Sequence, residues 1–222
     1  MSPSQPALAG RFITLEGGEG AGKSTQARLL ADALRGFGLT VLSTREPGGS
    51  PGAEILRTLL LSGDTDWSAP AETLLHFAAR AEHVERTIRP ALRVGTWVVC
   101  DRFADSTLAY QGFGQGADIA MIHALIGMIG LTPELTIVLD VSDPVASARL
   151  RLRAGGKPDR YERRDRDFHA RVKQGFRSIA ADDPARCSVV DGDGPEAQVH
   201  AMILGEVRTR FGLSDQALRD RQ

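Results

Sequence analysis

An α/β fold, a parallel sheet covered by helices on both faces, is predicted from three observations. Gly17-Gly18-Glu19-Gly20-Ala21-Gly22-Lys23-Ser24 fits G-x-x-x-x-G-K-[ST], the P-loop, with an apolar run before it and a helical period after it. Strand and helix signals alternate along the rest of the chain. Several strand candidates are unbroken runs of Val, Ile and Leu, as strands buried on both faces require.

In chain order, Phe12–Glu16 reads as the first strand. The helix Lys23–Gly36 follows the glycine loop and places Ala27, Leu30, Leu34 and Phe37 on one face. Thr40–Thr44 is the second strand, and Ala53–Leu61 and Ala71–Leu92 are helices. Trp97–Cys100 is the third strand, followed by a helix over Asp118–Ile129 and a fourth strand over Leu135–Val141. Helices over Pro144–Arg153 and Asp165–Ala181, the strand Ser188–Asp191 and the helix Glu196–Phe211 complete the core. Met1 to Gly10 carries two prolines and reads as a loose arm, and residues 213–222 read as a polar tail.

The chain has 222 residues, 42% hydrophobic and 25% charged, which suits one domain or one domain with a small lid. A net charge of −1 gives no global field toward nucleic acid or an anionic membrane, so neither is expected as a partner. Cys100 and Cys187 lie in apolar strand-like runs and read as small buried hydrophobes. No secretory signal or long apolar run is present, which points to the cytosol. The five histidines lack ligand spacing and read as structural or surface residues.

The glycines of the loop let backbone N–H groups turn inward around phosphate oxygens, and the following helix N-terminus adds partial positive charge. Lys23 supplies a mobile full charge, and the Ser24 hydroxyl can ligate Mg²⁺. The chain therefore binds a nucleoside triphosphate. The guanine-reading Asn-Lys-x-Asp segment of a GTPase is missing, and the charge balance argues against a motor or recombinase acting on nucleic acid. A small-molecule kinase must also hold an acceptor, and candidates for that task exist. Arg45 follows the second strand at the carboxyl edge of the sheet. Phe77 and Arg80 share a helix face; the pair suits a flat heteroaromatic base, and taken alone it reads more often as core packing beside a solvated arginine. Asp101-Arg102-Phe103 follows the third strand and offers a fork-shaped donor for a second phosphate. Ser106, Tyr110 and Gln111 add a hydroxyl, a ring and an amide.

Taken in order, Glu16–Thr25, Arg45–Gly49, Phe77–Arg80, Asp101–Phe103, Tyr110–Gly112 and Asp159–Glu162 resemble the thymidylate kinase family, over about Phe12 to Phe211. The resemblance implies the P-loop nucleoside monophosphate kinase fold with a five-stranded parallel core, one kinase domain over 11–212 with a lid at about 149–164, and a homodimer. It implies ATP-dependent phosphorylation of dTMP to dTDP, with ATP as donor and Mg²⁺ as cofactor.

By the same resemblance, Gly17, Gly18, Glu19, Gly20, Ala21, Gly22, Lys23, Ser24 and Thr25 hold the ATP phosphates and Ser24 serves Mg²⁺; Asp101 either supports Mg²⁺ through water or orients Arg102. Glu19 lies near the deoxyribose 3′-hydroxyl. Phe77 stacks on thymine and Arg80 bonds its exocyclic oxygen. Arg102 grips the acceptor phosphate with Arg45 nearby, and Ser106, Tyr110 and Gln111 finish the pocket. Asp159, Tyr161 and Glu162 approach the nucleoside from the lid. One branch of the family carries Arg where this chain has Gly20; here the catalytic charge is expected from the lid, on Arg160 or Arg153, with Arg149 on the adenine or phosphate side. Arg151 is expected on a solvated face. Two other readings compete: a kinase for another nucleoside monophosphate or small phosphate acceptor, and a nucleotide-gated interaction protein without phosphoryl transfer.

Overall fold

The computed structural model describes residues 10–63, 65–152 and 160–213. Strands β1 (Phe12–Gly17), β2 (Val41–Arg45), β3 (Trp97–Asp101), β4 (Leu135–Asp140) and β5 (Cys187–Asp191) form one five-stranded sheet in the order β2-β3-β1-β4-β5. Every pairing is parallel. β1 lies at the centre and is buried along its whole length, whereas the edge strands β2 and β5 are partly exposed. That is the burial expected when apolar runs take the middle of a sheet covered on both faces.

The helices are α1 (Lys23–Gly36), α2 (Pro51–Leu61), α3 (Ala69–His83), α4 (Arg89–Arg93), α5 (Ala104–Thr107), α6 (Ile119–Ile129), α7 (Asp143–Leu152), α8 (Arg166–Asp182) and α9 (Glu196–Phe211). Residues on β1 alternate between the two faces. Ile13 and Leu15 pack with Leu30 and Leu34 of α1 and with Val199, Ile203 and Val207 of α9. Phe12 points the other way, into a cluster with Val84, Ile88, Val98 and Phe103. Leu34 is fully buried in the first cluster. Leu34→Ala is expected to cost about 2–5 kcal/mol, read from urea unfolding, because the side chain leaves a cavity that close-packed neighbours cannot fill.

Register places the site. Leu15 pairs with Asp101, Asp101 with Arg45, and Gly17 with Leu139. The carboxyl ends of β1, β2 and β3 therefore reach one edge, where the phosphate loop, Arg45 and Arg102 come together.

Two helical expectations need correction. The segment expected as one α-helix over Ala71–Leu92 contains a π-helical stretch at Val84–Ile88 between α3 and α4. Arg89 N–H reaches back to Val84 O, and Pro90, which has no N–H to give, follows the stretch. The segment left without a helix in the sequence reading, Ala104 to Gly114, is α5 continued by a π-helical stretch at Leu108–Gly114. Its glycines lower helix propensity, and its stability comes from burial instead. Both cysteines are buried and free, as expected.

Candidate active site

Gly22, with φ of 91°, turns the chain from the loop into α1. Lys23 opens that helix and is buried, its ammonium donating to Gly18 O at 2.7 Å. Burial, with Arg102 close by, pushes the Lys23 pKa down to about 8. A Cβ added to Gly20 would lie 2.5 Å from Ala146 O, and φ there is +73°. The close approach of α7 therefore excludes an arginine at this position, so the loop itself carries no second cation.

Arg102 follows β3 with φ of 71°, a left-handed conformation uncommon for a side chain of this size. Its guanidinium donates to Glu19 at 2.6 Å and to the Tyr110 hydroxyl at 3.2 Å, and it lies over the Tyr110 ring at 4.9 Å. Tyr110 in turn donates to Glu19 at 2.7 Å. Ser106 links Arg102 to Glu16: its hydroxyl accepts from Arg102 at 3.3 Å and donates to Glu16 at 2.6 Å. Glu16 also accepts the Phe103 N–H at 2.7 Å, which caps the start of α5. Burial, then Asp105, raises the Glu16 pKa to about 7.

Ser24 donates to Asp101 Oδ2 at 2.5 Å, and Asp101 Oδ1 is buried without a hydrogen-bond partner. A hydroxyl beside a carboxylate with a spare oxygen is a donor set suited to Mg²⁺. No group of three or more His, Cys, Asp or Glu side chains fit to hold a metal occurs among the described residues.

One cleft joins these groups to the acceptor candidates, lined among others by Lys23, Arg45, Arg80, Arg102, Gln111 and Tyr161. At its inner end Arg80 donates from Nε to Glu46 at 2.8 Å and from one terminal nitrogen to Phe103 O and Thr107. Its other terminal nitrogen is buried without a partner. Glu46 precedes Pro47 across a cis peptide and is also held by His83 at 3.1 Å. Arg45 reaches the cleft mouth while paired with Glu54 at 3.2 Å.

The structure departs from the sequence reading at several side chains. Phe77 is only 4% exposed and is covered by the Arg80 guanidinium at 4.7 Å, so it does not line the cleft. Their spacing of three residues puts the two on one helix face, with the ring underneath. Arg160, expected on the transferred phosphoryl, instead pairs with the fully buried Glu72 at 2.7 Å. Arg149 donates to Gly192 O at 2.7 Å and to Ala21 O at 3.3 Å, bridging the loop to the turn after β5. Tyr161 lines the cleft, Glu162 is half-buried in the turn beside it, and Arg151 is exposed. Arg153 and Asp159 lie outside the described residues, as do the joint at 155–156 and nearly all of the arm and tail.

Three cleft residues were given no role by the sequence, although Glu46 lies within the Arg45–Gly49 motif. Arg57 of α2 donates to Pro47 O at 2.6 Å and adds another cation at the mouth. His76, read as structural, lines the cleft and meets the Tyr161 hydroxyl at 2.8 Å. Burial, with Arg80 nearby, pushes its pKa down to about 3, so the ring is neutral. Glu46 sits beside them as the anchor for Arg80. None of these could be found by periodicity, because each acquires its role from a residue distant in sequence.

The chain matches the family model described as thymidylate kinase over residues 15–203. A thymidylate kinase of Rhizorhabdus wittichii is 54% identical over 203 residues, covering 89% of this chain and 96% of the relative. One from Gluconobacter oxydans is 55% identical over 199 residues, covering 87% and 92%. A crystal structure of thymidylate kinase from Ehrlichia chaffeensis aligns with a TM-score of 0.75 at 35% identity, covering 90% of this chain and 99% of that one.

Proposed function

This chain belongs to the thymidylate kinase family and transfers the γ-phosphoryl group of ATP to dTMP, giving dTDP on the route to dTTP; we propose that it does so with the two nucleotides meeting head to head at the edge of the sheet. The observation that carries this reading is one cleft lined by Lys23, Arg102 and Arg80 together, with a terminal nitrogen of Arg80 buried and without a hydrogen-bond partner. Arg102 suits the acceptor phosphate, and Arg80 suits the exocyclic oxygen of a base, because a guanidinium can only donate.

Transfer passes through a loose, charge-spread phosphoryl in line between attacking and leaving oxygens. An oxygen of the dTMP phosphate attacks the γ-phosphorus, and the bond to the β-bridging oxygen breaks to release ADP. Residues 17–25 hold the donor phosphates, with Lys23 on the β and γ groups. Arg102, with Arg45 and Arg57 beside it, neutralises the acceptor phosphate. Glu19 receives the 3′-hydroxyl, and Tyr110 lies against the sugar and disfavours a 2′-hydroxyl. Ser106, Gln111, Tyr161, Glu162 and Asp159 close the nucleoside pocket, and Phe77 backs Arg80 beneath the base. Ser24 and Asp101 would hold Mg²⁺, which supplies charge neutralisation at the β- and γ-phosphates when bound. Arg160 is committed to Glu72, so the lid charge on the moving phosphoryl falls to Arg153, with Arg149 on the donor side.

No helix among the described residues is long and apolar enough to cross a membrane, and we place the activity in the cytoplasm. We also assign α6 to a homodimer. It is apolar along its length, yet Ile122 is its one buried residue, and Met128 is 80% exposed. A second copy of the chain would cover that face.

The test is ADP release from ATP across a panel of nucleoside monophosphates. dTMP should drive rapid turnover, dUMP should be weaker, and the purine and cytidine monophosphates should be near background. ADP formed at the same rate without dTMP would overturn the reading.

A further inference from the structure

We propose that Glu72 sets the hydrogen-bonding polarity of the acceptor pocket, by holding the Gln111 amide so that its carbonyl faces the base. The inference rests on the reading of the cleft as the dTMP site and deepens it.

Glu72 lies in α3, is fully buried, and touches none of the phosphate machinery. Its Oε1 accepts from Gln111 Nε2 at 2.8 Å, from Gln115 Nε2 at 2.7 Å and from the Tyr161 hydroxyl at 2.8 Å. Its Oε2 pairs with Arg160 at 2.7 Å. A carboxylate has no proton to give, so every partner must turn a donor toward it. For Gln111 that decides the amide. The Nε2 end is turned to Glu72, and that N–H is shared with the Tyr161 oxygen at 3.2 Å, because the two acceptor oxygens lie only 2.8 Å apart. The Tyr161 hydroxyl can accept there because its own proton points to Glu72. Neutral His76 completes the arrangement, its Nε2 lying 2.8 Å from the same oxygen.

With the NH₂ end of the amide held at Glu72, the Gln111 carbonyl oxygen is turned away from that carboxylate and is the group assigned to the cleft that this residue lines. The pocket therefore offers a donor from Arg80 and an acceptor from Gln111. Thymine presents the complement, an O4 acceptor beside an N3–H donor. Cytosine inverts both, with an amine at C4 and a bare lone pair at N3. The Arg80 half of this discrimination is intrinsic to a guanidinium. The Gln111 half is not, because an amide can turn over and offer its NH₂ instead. Glu72 removes that freedom without touching substrate, which makes it a positioning residue for specificity.

The test compares kcat/KM for dTMP and for 5-methyl-dCMP, which has the same methyl group and differs only at C4 and N3. Wild-type protein should prefer dTMP by about 10⁴-fold or more, as sites built around buried hydrogen bonds do. Glu72→Gln, with folding checked by circular dichroism, should narrow that preference about tenfold or more, with dTMP losing through KM. Gln111→Leu should narrow it similarly, and adding Glu72→Gln to Gln111→Leu should narrow it no further. If Glu72 only supports the fold, both substrates fall by one common factor and the ratio stays put, which overturns the proposal.

Should Glu72→Gln fail to fold, wild-type protein still decides the matter. The imino proton of bound [¹⁵N3]dTMP should be protected from solvent exchange, and the Gln111 NH₂ resonances should move little on binding. An unprotected imino proton, or an NH₂ group that shifts to contact the base, overturns the proposal. Failure of wild-type protein to use dTMP would instead break the reading of the cleft itself.

Discussion

Lys23→Met is expected to give a more stable protein that has lost about 10³-fold in turnover. Burial is the main reason the Lys23 pKa falls from 10.5 to about 8. The unfolded chain holds that proton up to about pH 10.5 and the folded chain only to about pH 8. Between those values the unfolded state binds more protons, so this group makes stability rise with pH there. Below pH 8 the buried charge is a standing destabilisation of the order of 3 kcal/mol. Methionine keeps the apolar stem and drops the charge, so the variant should gain that amount at pH 7. The advantage should fade by about pH 10.5, which urea unfolding at several pH values will read. Turnover falls because a preorganised charge on the transferring phosphoryl is lost in a site sheltered from water. Near-normal turnover in a folded Lys23→Met protein would remove Lys23 from the mechanism.

Arg102→Ala is expected to lower kcat/KM for dTMP by about 10³-fold while leaving the KM for ATP within about threefold. The guanidinium sits at the crossing of Glu19, Tyr110 and Ser106, and each contact aims its fork along the cleft. Arg102→Lys should rescue little, because a point charge cannot reproduce two parallel N–H bonds to a phosphate. Steady-state kinetics with each substrate varied in turn will separate the two sides of the cleft. An equal rise in both KM values would mean that Arg102 holds the architecture and not the acceptor.

Much of this site was legible because its parts are local. The phosphate loop needs glycines and a lysine at fixed offsets, and strand–loop–helix context is readable from apolar runs and periodicity. Arg45 and Arg102 were placed correctly at one edge because parallel strands bring their carboxyl ends together. The helix from Ala104 was not legible. It is glycine-rich toward its end, and its first turn is capped by Glu16 from 87 residues away. Phe77 and Arg80 were rightly assigned to one face, but which of them covers the other depends on Glu46, which holds the guanidinium over the ring.

The sequence by itself determined the alternating α/β order, the glycine loop that leads from strand into helix at Lys23, and the family, since each is written in short-range spacing of residue types. Tertiary structure alone decided that Arg160 pairs with Glu72, that His76 and Arg57 border the cleft, and which end of the Gln111 amide is bound. The physical reason is distance along the chain. A buried charge or amide takes its orientation from whichever partner can satisfy it, and here those partners come from helices and turns that only the folded sheet brings together.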